Sequence, residues 1–265
     1  MTKPKGILFF DIDGTLLNSE NKLTERTKNA LINIYNKGYK VALASGRCID
    51  GLRIVREQIP IPIIQITMNG AYNVADDGSL ISESTIETET SKKVKSLMNK
   101  HNLQLLYFSE NRWFTEYKNE LYNYEISVVK YDGTVCPLID IVDKIKIHKL
   151  LAYGTPTTTK EFIEESKRLF PKLNIVSSSS FYVEINKSDA DKGKGIISVA
   201  KHYGVDISDT FVFGDYDNDI AGFKVAGNKI AMANASENLL KLADVVTLSN
   251  DEDGVAYYIE QNLLN

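Results

Sequence analysis

Continuous apolar runs near the start of the chain predict strands buried on both faces. Residues 6–10 (GILFF) form the first. Ala30, Leu31, Ile34 and Tyr35 then recur at helical spacing behind Thr24. Thr24 is placed to cap that helix, with Thr27 rather than Glu or Gln at the capping-box position. Gly38 ends it, residues 39–44 (YKVALA) read as the next strand, and Ser45-Gly46 stops that strand. Leu52, Val55 and Ile59 mark a second helix closed by Pro60 and Pro62, and 63–67 is a third strand. Strand and helix in alternation predict a parallel sheet with helices on both faces.

The rhythm then changes. Residues 71–74 and 79–81 flank Asp76-Asp77-Gly78, a hairpin signal. A polar helix is expected over 86–101, strands over 103–109, 112–116, 146–153 and 181–186, and a helix over 161–170. From about Lys192 the first rhythm returns. Helices are expected over 195–203, 220–226, 237–243 and 255–262, and strands over 210–213 (TFVF), 228–231 and 245–248. No internal repeat is visible. The pattern predicts an α/β, Rossmann-like parallel-sheet core in two pieces, 1–83 and 188–265. A mixed α/β cap, 84–187, is inserted between them. An insertion of that size folds on its own core and can move as a unit, with hinges near Glu83 and Asn186.

Composition changes this picture little. Of 265 residues, 43% are hydrophobic and 25% charged, ordinary for a globular chain, and the net charge of −4 argues against a basic nucleic-acid surface. The two cysteines, Cys48 and Cys136, form no CxxC pair, and with three histidines a Cys/His zinc site is not expected. Two reduced thiols suit a cytoplasmic protein. The apolar start is too short for a signal-peptide core, and no run approaches the ~20 apolar residues of a membrane span. Neither nucleic acid nor membrane is an expected partner.

The candidate chemistry lies in aspartates placed after buried strands. Asp11-Ile12-Asp13-Gly14-Thr15 follows the first, and Gly214-Asp215-Tyr216-Asp217-Asn218-Asp219 follows TFVF. In open α/β sheets, ligands sit at the carboxyl ends of strands. Adjacent strands would bring Asp11, Asp13, Asp215 and Asp219 around one point, a hard oxygen cluster suited to Mg²⁺. Either set alone reads equally as a turn or helix cap. An EF-hand fails, since Ile220 replaces the glycine at loop position 6 and Ala226 the glutamate at position 12. Ser45-Gly46-Arg47 offers a hydroxyl and backbone N–H groups ahead of a helix, an anion cradle or simply a turn. In Asp191-Lys192-Gly193 the lysine can reach a phosphate or start a solvated helix. The P-loop and dinucleotide patterns both fail here, at Ser188 and Ser198.

Together, DIDGTLL, SGR, DKG and GDYDND resemble, in this order, the four motifs of the haloacid dehalogenase superfamily of phosphohydrolases. The SGR and GDxxND forms, Asn69-Gly70-Ala71 and the run AMANA at 231–235 resemble its Cof-like branch, whose large α/β cap the insertion matches. The resemblance covers the whole chain and implies a phosphatase of small phosphorylated metabolites: a sugar phosphate, pyridoxal phosphate or a flavin nucleotide. It implies Asp11 as nucleophile forming an aspartyl-phosphate, and Asp13 as general acid and then base. It implies Mg²⁺ held by the Asp11 carboxylate, the Asp13 carbonyl and Asp215, with Asp219 acting through metal-bound water. Ser45, the N–H groups of Ile12 and Gly46, Lys192 and Asn218 would bind phosphoryl oxygens. One departure is Ile220-Ala221-Gly222-Phe223, where the branch has a Met-Leu pair, and altered packing beneath the site is expected. A phosphomutase and a non-catalytic metabolite-binding regulator are the alternatives. Trp113, Phe114, Tyr117, Tyr122, Tyr124, Phe181 and Tyr182 are read mainly as cap core or sheet residues. Monomer and homodimer stay equally open.

Overall fold

A computed structural model describes residues 3–177 and 179–264. The chain divides into two compact units, one of 1–46, 53–82 and 191–265, the other of 47–52 and 83–190. In order, the elements are β1 (Ile7–Phe10), α1 (Glu25–Asn36), β2 (Lys40–Ala44), α2 (Ile49–Arg56), β3 (Ile63–Thr67), β4 (Tyr72–Val74) and β5 (Leu80–Glu83). Next come α3 (Thr88–Lys100), β6 (Gln104–Ser109), β7 (Arg112–Thr115), α4 (Glu120–Val129), β8 (Thr134–Val135) and α5 (Leu138–Ile141). They are followed by β9 (Lys149–Tyr153), α6 (Pro156–Leu169), β10 (Leu173–Ser177) and β11 (Tyr182–Lys187). The chain closes with α7 (Lys192–Tyr203), β12 (Thr210–Gly214), α8 (Ile220–Phe223), β13 (Asn228–Ala231), α9 (Glu237–Leu240), β14 (Val245–Val246) and α10 (Gly254–Asn262).

The first unit is built on an eight-stranded sheet of order β14-β13-β12-β1-β2-β3-β4-β5. It is parallel from β14 to β3, and β4 turns antiparallel. Alternation along β1 divides its side chains between two layers. Ile7 and Phe9 join Ala42, Ile64 and Val212 under Ile196 and Val199 of α7. On the other face, Phe10 stacks on Phe213, whose ring meets Tyr258 of α10. Thr24 caps α1, its side chain accepting from the Thr27 N–H. Gly222 is buried in α8 next to Phe223, which joins the core cluster with Ile196.

The second unit is a six-stranded sheet of order β10-β11-β9-β6-β7-β8, antiparallel except for β7–β8. Its two faces differ. Leu105, Tyr107, Phe114, Leu150, Ala152, Val183 and Ile185 pack against α3 and α6 in one apolar core. The register puts Gln104, Phe108, Lys149, Tyr153, Tyr182 and Glu184 on the opposite face. The helix α4 reaches that face, where Tyr124 stacks on Tyr182 and Tyr122 packs on Trp113. No helix of the described residues is long and apolar enough to cross a membrane.

The structure adds elements that the pattern did not predict: α4, α5, β8 and β10. It also shortens the expected strand at 146–153 to β9, Ile147 making only an isolated bridge with Ile86.

Candidate active site

Three neighbouring strands end together at one edge of the first unit. In β1, β2 and β12, Phe10 pairs with both Leu43 and Phe213, so Asp11, Ser45 and Asp215 emerge just beyond at the carboxyl edge. The Asp11 N–H still donates to the Phe213 carbonyl at 3.1 Å, which fixes the direction in which its side chain leaves the sheet. A turn follows because Gly14 takes φ +84°, and a Cβ there would stand 2.4 Å from Asp215 Oδ2. A bare Cα therefore lets Asp215 lie against the first loop. Thr15 Oγ1 donates to Asp215 Oδ1 at 2.8 Å, and Asn234, in the AMANA run, donates to the Gly14 carbonyl at 2.8 Å. Sequence reasoning gave neither residue this part.

Asp11, Asp215 and Asp219 each offer a carboxylate oxygen within 4.8 Å of the others. Lys192 stands at the start of α7, behind the capping Asp191, and is 2% exposed. Its Nζ donates to Asp11 Oδ1 at 2.5 Å and to Asp219 Oδ1 at 2.6 Å. The other Asp219 oxygen accepts the N–H groups of Asp215 and Tyr216 at 3.1 and 3.3 Å. Asp219 is thus committed to Lys192 and to its own loop. Asp13 is exposed, and its carboxylate is outside the three-acid group. Ser45 and Ile12 are buried, Gly46 is half-buried, and Asn218 is exposed.

One ammonium among three carboxylates, two buried and that of Asp215 half-buried, leaves the cluster short of positive charge. Burial pushes Asp11 well above the ordinary carboxylate range; Lys192 opposes this, and Asp219 and Asp215 add to it. Burial likewise raises Asp215 to about 6, against the Thr15 hydrogen bond. Burial lowers the pKa of Lys192, but Asp11 and Asp219 outweigh it and hold the ammonium above the usual lysine value. An oxygen-only donor set, buried but for the half-buried Asp215, with unbalanced negative charge fits a hard divalent cation.

A left-handed run braces the site from behind. Met68, Asn69 and Gly70 have φ of 50°, 57° and 88°. The Asn69 N–H donates to the Ser45 carbonyl at 3.0 Å, and a Cβ on Gly70 would stand 2.2 Å from the Asp191 carbonyl oxygen. The loop after β3 thus ties the end of β2 to the start of α7. Strained backbone of this kind persists where the surroundings over-determine it.

A family model of haloacid dehalogenase-like hydrolases matches residues 8–259. The chain belongs to that family. Among its relatives is the 5-amino-6-(5-phospho-D-ribitylamino)uracil phosphatase YwtE of Bacillus subtilis, 27% identical over 96% of each chain. The putative phosphatase YxeH of the same organism is 30% identical, over 97% of this chain and 98% of that one. A solved haloacid dehalogenase-like hydrolase from Bacteroides thetaiotaomicron is 26% identical and superposes with a TM-score of 0.88, over 97% and 98% of the two chains. This haloacid dehalogenase-like hydrolase is a phosphatase of the Cof-like branch.

Proposed function

We propose that the chain is a Mg²⁺-dependent phosphatase of small phosphorylated metabolites, acting through an aspartyl-phosphate on Asp11. The observation that carries this reading is the placement of Asp11 at the end of β1, in ion-pair contact with Lys192 and beside Asp215. Asp11 Oδ attacks phosphorus, and the bond from phosphorus to the leaving oxygen breaks. Asp13, on the exposed loop, gives its proton to that oxygen as it departs. It then takes a proton from water, whose oxygen attacks phosphorus; the bond to Asp11 breaks and inorganic phosphate leaves. Lys192, the Ser45 hydroxyl and the N–H groups of Ile12 and Gly46 bind the phosphoryl oxygens, with Asn218 at the rim. Mg²⁺, held by Asp11, Asp215 and the Asp13 carbonyl, would supply Lewis-acid charge that offsets the repulsion between carboxylate and phosphoryl group. Asp219 fixes Lys192 and the loop that carries Asp215.

The named substrate of the relative YwtE carries a phosphorylated ribityl chain. That favours a polyol or sugar phosphate among the classes open to this site. The test is phosphate release from a panel of phosphorylated metabolites and a generic aryl phosphate, with Mg²⁺ and with EDTA. Release that needs Mg²⁺ is expected. No release from any compound by folded protein supplied with Mg²⁺ would overturn the reading.

A further inference from the structure

Within the second unit, α3, α5 and β6 enclose a cavity of about 260 Å³. From α3 come Lys92, Lys95, Ser96 and Asn99, which recur every three or four residues and so share one face of that helix. Leu138, Ile139 and Val142, in and just after α5, add an apolar wall. Ser96, Asn99 and Ile139 are exposed, whereas Leu138 and Val142 are buried, so the cavity has an open rim and an enclosed floor. The remaining lining residue is Tyr107 of β6, whose ring belongs to the apolar core beneath the helices. It is 0% exposed, yet among the described residues no hydrogen bond reaches its hydroxyl. Burial, with Glu116 adding to it, pushes this phenol above the ordinary tyrosine value, so the oxygen keeps its proton and can donate it.

An enclosed hydroxyl without a partner costs free energy, and phenylalanine would fill the same core position without that cost. A molecule that enters the cavity and carries an acceptor removes the penalty. The two lysines do not call for an anion. Lys92 Nζ is held by Glu89 at 2.9 Å and by Asp143 at 2.8 Å, and Lys95 Nζ by Glu116. Glu116 also accepts the Leu138 N–H at 3.2 Å. Three carboxylates thus meet two ammoniums. An anion would enter surplus negative charge, and a cation would have to draw a carboxylate away from its lysine. The volume lies below the ~300–1,000 Å³ of sites for drug-sized ligands, which calls for a smaller molecule.

We propose that this cavity is a binding site for a small uncharged molecule, an apolar ring or short chain that carries a carbonyl. The apolar part lies against Leu138, Ile139 and Val142, and the carbonyl oxygen accepts the Tyr107 O–H. Ser96 and Asn99, whose side chains make no hydrogen bond among the described residues, serve a second polar atom at the rim. None of these residues belongs to the candidate active site, and the proposal does not depend on the phosphatase reading.

The test is binding of para-fluorobenzamide to the whole protein, followed by fluorine NMR, with para-fluorobenzoate and fluorobenzene as the charged and the acceptor-free comparison. The wild type should bind the amide with a Kd on the order of 10 mM or tighter, and the other two more weakly. Tyr107→Phe keeps the ring and removes the donor. It should weaken amide binding roughly two- to ten-fold and leave fluorobenzene binding unchanged. Without any probe, its Tm should be equal or higher, because no hydrogen bond is lost. Ser96→Trp, on the exposed side of α3, should fill the rim and abolish amide binding. No binding by the wild type would leave the cavity to water and overturn the proposal. So would an equal affinity of Tyr107→Phe for the amide, a lower Tm of that variant alone, or undiminished binding to Ser96→Trp. Benzoate bound more tightly than the amide would overturn the assignment of an uncharged ligand.

Discussion

Asp215 rests its carboxylate against the bare Cα of Gly14, where a Cβ would stand 2.4 Å from the acid oxygen. Gly14→Ala should therefore displace Asp215 without removing any candidate ligand. A displacement near 1 Å at a reacting centre costs on the order of 10²-fold in rate. The expected outcome is such a fall in kcat for phosphate release, with the secondary structure by circular dichroism unchanged.

Asp11→Asn keeps the shape of the side chain and removes the nucleophile. It also relieves crowding among the three carboxylates of the cluster, of which those of Asp11 and Asp219 are buried. Phosphate release should fall roughly 10⁴-fold or more, while Tm stays equal or rises. Wild-type turnover by this variant would remove Asp11 from its role.

Lys192→Met deletes the ammonium shared by Asp11 and Asp219. Breaking a buried pair from one side typically costs about 3–5 kcal/mol, because the partner charge stays buried. Urea unfolding should show a loss of that order, and added Mg²⁺ should recover part of it.

Mg²⁺ itself should stabilise the wild type. A ligand at 100 times its dissociation constant adds about 2.7 kcal/mol to the unfolding free energy. EDTA should reverse the gain, and Asp215→Asn should abolish it. Thermal scans with and without the ion read both effects.

Glu125 gives a pH signature. Burial holds its folded carboxyl at about 7 against an ordinary 4.5, so the folded state binds this proton more tightly than the unfolded chain. The stability gained is complete below about 4.5 and is lost as pH rises through 7. Glu125→Gln cannot titrate. Between pH 4.5 and 7.5, the wild type should lose about 2–3 kcal/mol relative to that variant, measured by urea unfolding at each pH.

Legibility followed burial. The strands β1, β2, β3 and β12 are dominated by apolar residues, with Gln65 the one polar residue inside them, because helices cover both sides, and such runs stand out along a sequence. The aspartates after β1 and β12 were visible for the same reason, since a motif is easy to place once its strand is. The helix α4 escaped because Glu125 interrupts its stripe. The strand β10 escaped because it is a sheet edge whose residues alternate between buried and exposed without a turn signal. The tie between Asp219 and Lys192 was not legible either, for a shared proton donor leaves no mark on spacing. Asn234 and Gly70 could have been suspected only from their place in motifs, and the close approaches that explain them are three-dimensional.

The pairing of β1 with β12 also sets a timetable for synthesis. The strand β1 leaves the ribosome ahead of its neighbour β12, which follows only after the entire inserted unit. Until then Ile7, Leu8, Phe9 and Phe10 present an unpaired edge of four large apolar side chains. The inserted sheet needs no strand from outside 104–187 and can close in the meantime. The nascent chain therefore carries a finished cap on an unfinished core, with its stickiest strand open. That is the stage at which a chaperone would be needed and at which a stalled chain would aggregate.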